Sequence, residues 1–217
     1  MHNKRDDILK NAKSYHKTFY NQKTFTGPSL YFHKRALEVL NTNDLENSIE
    51  YVYAVLTSWG MHRMGPTGAK MIEFDVFKES ILNIKERIQF LKQYSFKTIN
   101  ETVLEQIEYI FKNICVMKSN ISLVGNTKVM AHFLPNLIPP VDRQYTLNYL
   151  YNKNYIPNNI DKEWNMLKDI LLNFFYPIAN DTDFLELSQS WINQPDLYPW
   201  DTSTLKTIDN IIIGSKK

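Results

Sequence analysis

The stretch Leu123–Leu150, LVGNTKVMAHFLPNLIPPVDRQYTLNYL, carries most of what the chain discloses about its fold. Ile121-Ser-Leu-Val-Gly-Asn126 reads as the end of one helix and a tight turn, because Gly125 and Asn126 are residue types that tolerate left-handed backbone. Lys128 to Leu134 then reads as a short helix stopped by Pro135. Pro139-Pro140 sets an extended approach, and Asp142 opens the following helix, a position where aspartate is a favoured N-cap. The reading is a helix-hairpin-helix followed by a proline break, with a lysine on one side and an aspartate on the other. The N–H groups of the turn, at Gly125, Asn126 and Thr127, are expected to hold a phosphate.

Helical periodicity continues outward in both directions. Phe77, Ile81, Ile84, Ile88 and Leu91 recur at spacings of four and three and predict one helix. Val103, Ile107, Ile110 and Ile114 repeat the pattern, with Thr98 and Glu101 as a capping box. Ile49, Val52, Tyr53 and Leu56 predict an earlier helix, begun at Asn43-Asp44, and Trp164, Leu167, Ile170, Leu171 and Phe174 a later one. Leu205, Ile208, Ile211 and Ile212 predict the last, with Gly214 as a left-handed stop. Tyr176–Trp200 reads as a long connection, and Thr26-Gly-Pro as a turn into a helix. Alternating strand patterns are absent, so the fold class expected is all-α.

The composition excludes several classes of function. A chain of 217 residues, 43% hydrophobic and 22% charged, folds around a real core. Its single cysteine, Cys115, leaves no intramolecular disulfide and no thiolate-ligated zinc or iron–sulfur cluster within one chain, and no metal or other cofactor is expected. The polar N-terminus lacks a signal-peptide core, and no apolar run reaches bilayer length, so a cytoplasmic monomer away from membranes is expected. The net charge of +2 neither demands nor excludes nucleic acid.

Glycine placement marks a second irregular place. Three of the six glycines fall in one short loop after Trp59, WGMHRMGPTGAK, where His62 and Arg63 are placed to meet a phosphate or ligand and Trp59 to stack on a base or fill the core. His33-Lys34-Arg35 reads either as a phosphate-tracking segment or as a solvated helix face.

Lys128, His132-Phe133-Leu134 and Asp142-Arg143 resemble the helix-hairpin-helix DNA glycosylase superfamily, most closely its archaeal 8-oxoguanine DNA glycosylase type. In that group a hairpin lysine precedes His-Phe-Leu, and an Asp-Arg pair opens the next helix. The resemblance spans residues 45–217 as a helical core and leaves residues 1–44 as an N-terminal extension packing on it. This chain has Val-Gly-Asn-Thr where the family has Gly-hydrophobic-Gly, and its lysine and aspartate stand 14 residues apart, closer than in the family.

The resemblance implies a base-excision repair glycosylase, with DNA as partner, that flips a damaged or mismatched base from the duplex. Lys128 is the implied amine nucleophile, giving AP lyase activity through a Schiff base, and Asp142 the carboxylate that assists it. A lysine amine titrates near about 10.4 unless its surroundings lower it, and His132 and Arg143 are the nearest candidates to tune charge there. Lys217, near the C-terminus, is the implied contact to the flipped base. Two alternatives stand beside this one. The first is a non-catalytic helical nucleic-acid-binding module. The second is a helical protein holding a small anionic ligand in the cleft between Trp59–Lys70 and Lys128–Asp142.

Overall fold

The computed structural model describes every residue except 23, 24, 43, 66, 67 and 217, and the described chain is mostly helical. In chain order the helices are α1 (His2–Asn21), α2 (Pro28–Leu40), α3 (Leu45–Ser58), α4 (Phe74–Leu82), α5 (Lys85–Leu91), α6 (Glu101–Asn113) and α7 (Leu123–Phe133). They continue as α8 (Asn148–Tyr151), α9 (Ile160–Ile170), α10 (Tyr176–Ala179), α11 (Thr182–Ile192) and α12 (Thr204–Gly214). Two π-helical turns, Arg143–Leu147 and Leu171–Phe175, lead into α8 and α10. The glycine loop holds a minimal antiparallel ribbon, β1 (Met64–Gly65) and β2 (Gly68–Ala69), with Met64 opposite Ala69.

The periodic apolar positions all reach the core, but some of the element boundaries differ from the expectation. Phe77 and Ile81 are buried on α4 and Ile88 and Leu91 on α5, two helices rather than one, with Ile84 buried in the break between them. Asn100, not Thr98, caps α6 by accepting from Val103 N, while Thr98 Oγ1 accepts from Ser95 N in the preceding turn. Asp44 caps α3, accepting from Asn47 N; Asn43 lies outside the described residues. The supposed connection Tyr176–Trp200 contains α10 and α11. Pro28 occupies the first turn of α2 behind Gly27, as the Thr26-Gly-Pro turn predicts.

The centre of the fold is α12, in which every residue from Thr204 to Gly214 is buried. Helix α1 packs along it, α10 and α11 flank it, and the π turn at Arg143 meets it. Gly214 is not a left-handed stop. It is helical, and a Cβ there would overlap the Tyr15 carbonyl oxygen, so glycine is what lets the α1 backbone cross so closely. Helix α2 lies along α3, and Ile8, Ala12 and Ala36 from the first 44 residues belong to the same apolar cluster as the rest. A fully buried side chain the size of Ile8 contributes roughly 1.5–3 kcal/mol, and an alanine methyl such as that of Ala12 or Ala36 less than about 1 kcal/mol. Among the described residues no helix is long and apolar enough to cross a membrane, and no group of three or more His, Cys, Asp and Glu side chains is placed to hold a metal ion.

A candidate active-site cavity

The segment that reads as a hairpin is folded differently, and the difference places the site. Gly125 and Asn126 do not turn; they sit within the first half of α7, and with Thr127 they are buried. Asn126 donates from Nδ2 to the carbonyl oxygens of Phe111 (2.8 Å) and Ile114 (3.0 Å), which are open acceptors at the end of α6. Gly125 admits Val116, whose Cγ1 lies 3.0 Å from where a Cβ would be. The N–H groups that open α7, at Ser122 and Leu123, donate to Glu163 on α9, at 2.9 and 2.6 Å. The phosphate cradle expected at Gly125, Asn126 and Thr127 is therefore replaced by internal hydrogen bonds. Burial raises the Glu163 carboxyl above its ordinary range, with the two N–H groups pulling it back.

These bonds put Lys128 beside Asp142. Thr127 Oγ1 donates to the Leu123 carbonyl at 2.7 Å and accepts from Val141 N at 3.1 Å, which ties α7 to the strand-like Pro-Pro approach. One residue further along each segment, Lys128 Nζ donates to Asp142 Oδ2 at 3.4 Å. The other oxygen, Oδ1, accepts from Gln144 N (2.7 Å) and Tyr145 N (3.3 Å) and so caps the π turn. Capping and facing the lysine are thus the work of different oxygens. A π turn of this sort often marks a place where a helix has been adjusted around a site.

Lys128 and Asp142 line a cavity of about 390 Å³. Its walls come from Phe19 and Phe25, from Trp59, Gly60 and Arg63 at the end of α3, from Tyr145 on the π turn, and from Trp200 with Lys206 and Asp209 of α12. Gly60 takes φ +74°, a value that favours glycine, and its carbonyl accepts from Arg63 Nε at 2.9 Å, which fixes that guanidinium at the rim. The Lys128 ammonium stands 5.7 Å from the Trp59 ring centre and that of Lys206 5.5 Å from Trp200. Lys206 Nζ donates to Asp209 Oδ2 at 2.8 Å and to Asn210 Oδ1. Burial raises the Asp209 carboxyl, and the neighbouring Asp142 adds to this, against the pull of Lys206 and Lys128. The cavity therefore presents two lysine–aspartate pairs between aromatic walls.

A histidine pair adjoins it. His132 Nδ1 bonds the Lys128 carbonyl oxygen at 2.7 Å, and His132 Nε2 meets His33 Nδ1 at 3.0 Å. Burial lowers both imidazoles, His33 well below the ordinary range and His132 to about 4. His33 stacks on Trp200 at 4.9 Å between centroids. His33 Nε2 and Trp59 Nε1 are buried with no hydrogen-bond partner among the described residues.

Of the residues singled out in the sequence, Lys128, Asp142, Trp59 and Arg63 meet in this cavity. His62 is exposed and does not line it. His132 lies beneath Lys128, and Arg143 lines a separate groove with Asn120 and Tyr155. Lys217 lies outside the described residues. The His33-Lys34-Arg35 segment is divided: His33 is buried, Lys34 is exposed, and Arg35 pairs with Glu38. Sequence reasoning missed Phe19, Phe25, Tyr145, Trp200, Lys206 and Asp209. The one available signal was the Lys206–Asp209 spacing, which on a helix reads as an ordinary surface ion pair. Compared with protein-family models, with curated proteins and with solved structures, the chain matches none.

Proposed function

We propose that the protein is a DNA base-excision glycosylase with AP lyase activity. The observation that carries this reading is the Lys128 amine 3.4 Å from the Asp142 carboxylate in an aromatic-walled cavity large enough for one nucleobase. A base flipped out of the duplex enters the cavity that Trp59 and Trp200 help to wall. Asp142 Oδ2 accepts a proton from the Lys128 ammonium, and the freed amine adds to C1′ as the glycosidic bond breaks and the base leaves with that electron pair. Asp142 passes that proton to the departing base and, once more a carboxylate, faces the positive charge that develops on the sugar. Opening of the sugar ring converts the C1′–Nζ bond to a Schiff base, from which the strand is cleaved.

Borohydride reduces that Schiff base to a stable amine and so tests the reading directly. Oligonucleotides carrying damaged bases or abasic sites are expected to give a covalent adduct that Lys128→Ala abolishes and Asp142→Asn slows by roughly 10²-fold or more. Base release that survives Lys128→Ala but not Asp142→Asn assigns a glycosylase without lyase chemistry. Neither release nor adduct on any of these substrates overturns the proposal.

A second reading, a small anionic ligand, is favoured by the charge of the lining: Lys128, Lys206 and Arg63 against Asp142 and Asp209. No binding to DNA at low salt, where phosphate contacts are strongest, selects it.

A further inference from the structure

The N–H groups of Gly125, Asn126 and Thr127 lie inside α7, so a strand whose base enters the cavity has to be gripped elsewhere. Arg143 stands between Asp142 and Gln144, and both of those line the cavity. Arg143 itself lines a neighbouring groove of about 480 Å³, together with Ser119, Asn120, Asn154, Tyr155 and Asn158. One wall is the turn before α7. The other is the irregular loop after α8, which leaves that helix through Asn152 at φ +52°, a left-handed value that asparagine tolerates.

All six of these side chains are exposed, Tyr155 to 70%, and none forms a hydrogen bond or ion pair with another described residue. No carboxylate is among the lining residues. Glu163, the carboxyl group that Arg143 acts on through space, is wholly buried and accepts from the Ser122 and Leu123 N–H groups. An arginine without a counter-charge, set among amide and hydroxyl donors, is the composition that contacts the phosphates and sugars of nucleic acid. Its planar fork also matches two phosphate oxygens at once.

We propose that this groove, centred on Arg143, holds the backbone phosphate beside the nucleotide whose base enters the cavity. The inference rests on the reading that the cavity accepts a flipped base from DNA. Neighbouring Cα atoms are about 3.8 Å apart, and phosphates of one strand recur about every 3.4 Å along the duplex axis. One short turn of chain can therefore serve the base on one side and the adjoining phosphate on the other. The Asn120 and Asn154 amides and the Tyr155 hydroxyl, from the two walls, donate to the remaining phosphate and sugar oxygens.

Fluorescence anisotropy with the full chain and a duplex carrying a tetrahydrofuran abasic analogue reads this grip. Arg143→Gln is expected to weaken binding about tenfold and to lower the slope of log K against log salt by about 1, the share of one phosphate. Arg87→Gln removes the same charge from α5, outside the groove, and is expected to change neither. A second measurement alters the DNA instead, with one phosphate at a time near the analogue replaced by a neutral methylphosphonate. One position should weaken the parent protein about tenfold and leave Arg143→Gln no weaker than before.

Equal losses in the two variants, or no phosphate whose replacement depends on Arg143, overturn the groove. So does a lack of DNA binding at low salt while inorganic phosphate still shifts the Asn120 and Asn154 amide signals by NMR, which marks a small-anion site. The outcomes separate from those of the proposed reaction. DNA binding that depends on Arg143 without any trapped adduct retains the groove and removes the glycosylase. An adduct with a salt slope indifferent to Arg143 does the reverse.

Discussion

The two oxygens of Asp142 have different partners, Oδ1 the Gln144 and Tyr145 N–H groups and Oδ2 the Lys128 ammonium, and substitutions can separate them. Asp142→Asn keeps an oxygen for the cap, so its unfolding free energy is expected within about 1 kcal/mol of the parent while the trapped adduct forms roughly 10²-fold more slowly. Asp142→Ala loses the cap as well and is expected to cost a further 1–2 kcal/mol or so by denaturant titration. Equal stability of the two variants would count against the capping assignment. Gly214 makes an opposite kind of demand. An exposed helical glycine gains about 1 kcal/mol on change to alanine. Here the new Cβ meets the Tyr15 carbonyl oxygen, which belongs to backbone and cannot swing aside. Gly214→Ala is therefore expected to destabilise by about 3 kcal/mol or more, read as a lowered thermal midpoint, with α1 separating from α12.

At the scale of elements, α7 shows why some of this protein was legible in its sequence and some was not. Helices α3, α6 and α9 each have one wet face, and their apolar period reports it. Helix α7 is buried on nearly every side, from Leu123 through Phe133, so it has no period to read, and Gly125-Asn126 offered a turn in its place. Local preference was overridden by packing: Gly125 makes room for Val116, and Asn126 spends its amide on α6. Helix α12 hid the second lysine–aspartate pair for the same reason, since Lys206 and Asp209 resemble a solvated face and are in the interior. Lys128 and Asp142 were legible because proline and capping preferences bracket them. The joint between those two is Thr127, and it is testable. Thr127→Val keeps the shape but removes the oxygen that accepts from Val141 N. A loss of about 1–2 kcal/mol in stability is expected, together with a slower adduct at saturating DNA, because Lys128 and Asp142 lose their common register. Unchanged trapping kinetics would show that the register is held elsewhere.

Across the whole molecule, buried polar groups form one chain from the N-terminal helix to the cavity. His16 Nε2 bonds Asp201 at 2.7 Å, Asp201 accepts from Asn210 at 2.8 Å, and Asn210 accepts from Lys206, which reaches Asp209. The first 44 residues thereby hold the cavity wall as well as the apolar core. Gathering so many titratable groups inside makes stability depend on pH, and the direction follows from two opposed sets. The His132 imidazole falls from 6.5 to about 4 in the folded state, and His33 moves the same way. A depressed histidine stabilises the fold fully above its unfolded value, and that contribution is lost as the pH falls through the folded one. For His132 this amounts to about 3 kcal/mol between pH 6.5 and about 4. Asp209 and Glu163 are raised by burial, so their contribution is complete below the unfolded carboxyl values and declines as the pH rises through the folded ones. Urea midpoints are expected to fall as the pH is lowered from about 7 to about 5, the histidines driving the loss and the raised carboxyl groups opposing it. In the same range both imidazoles should stay neutral by nitrogen NMR for as long as the fold persists. Protonation of either ring near 6.5 in the folded protein would remove the basis for this slope.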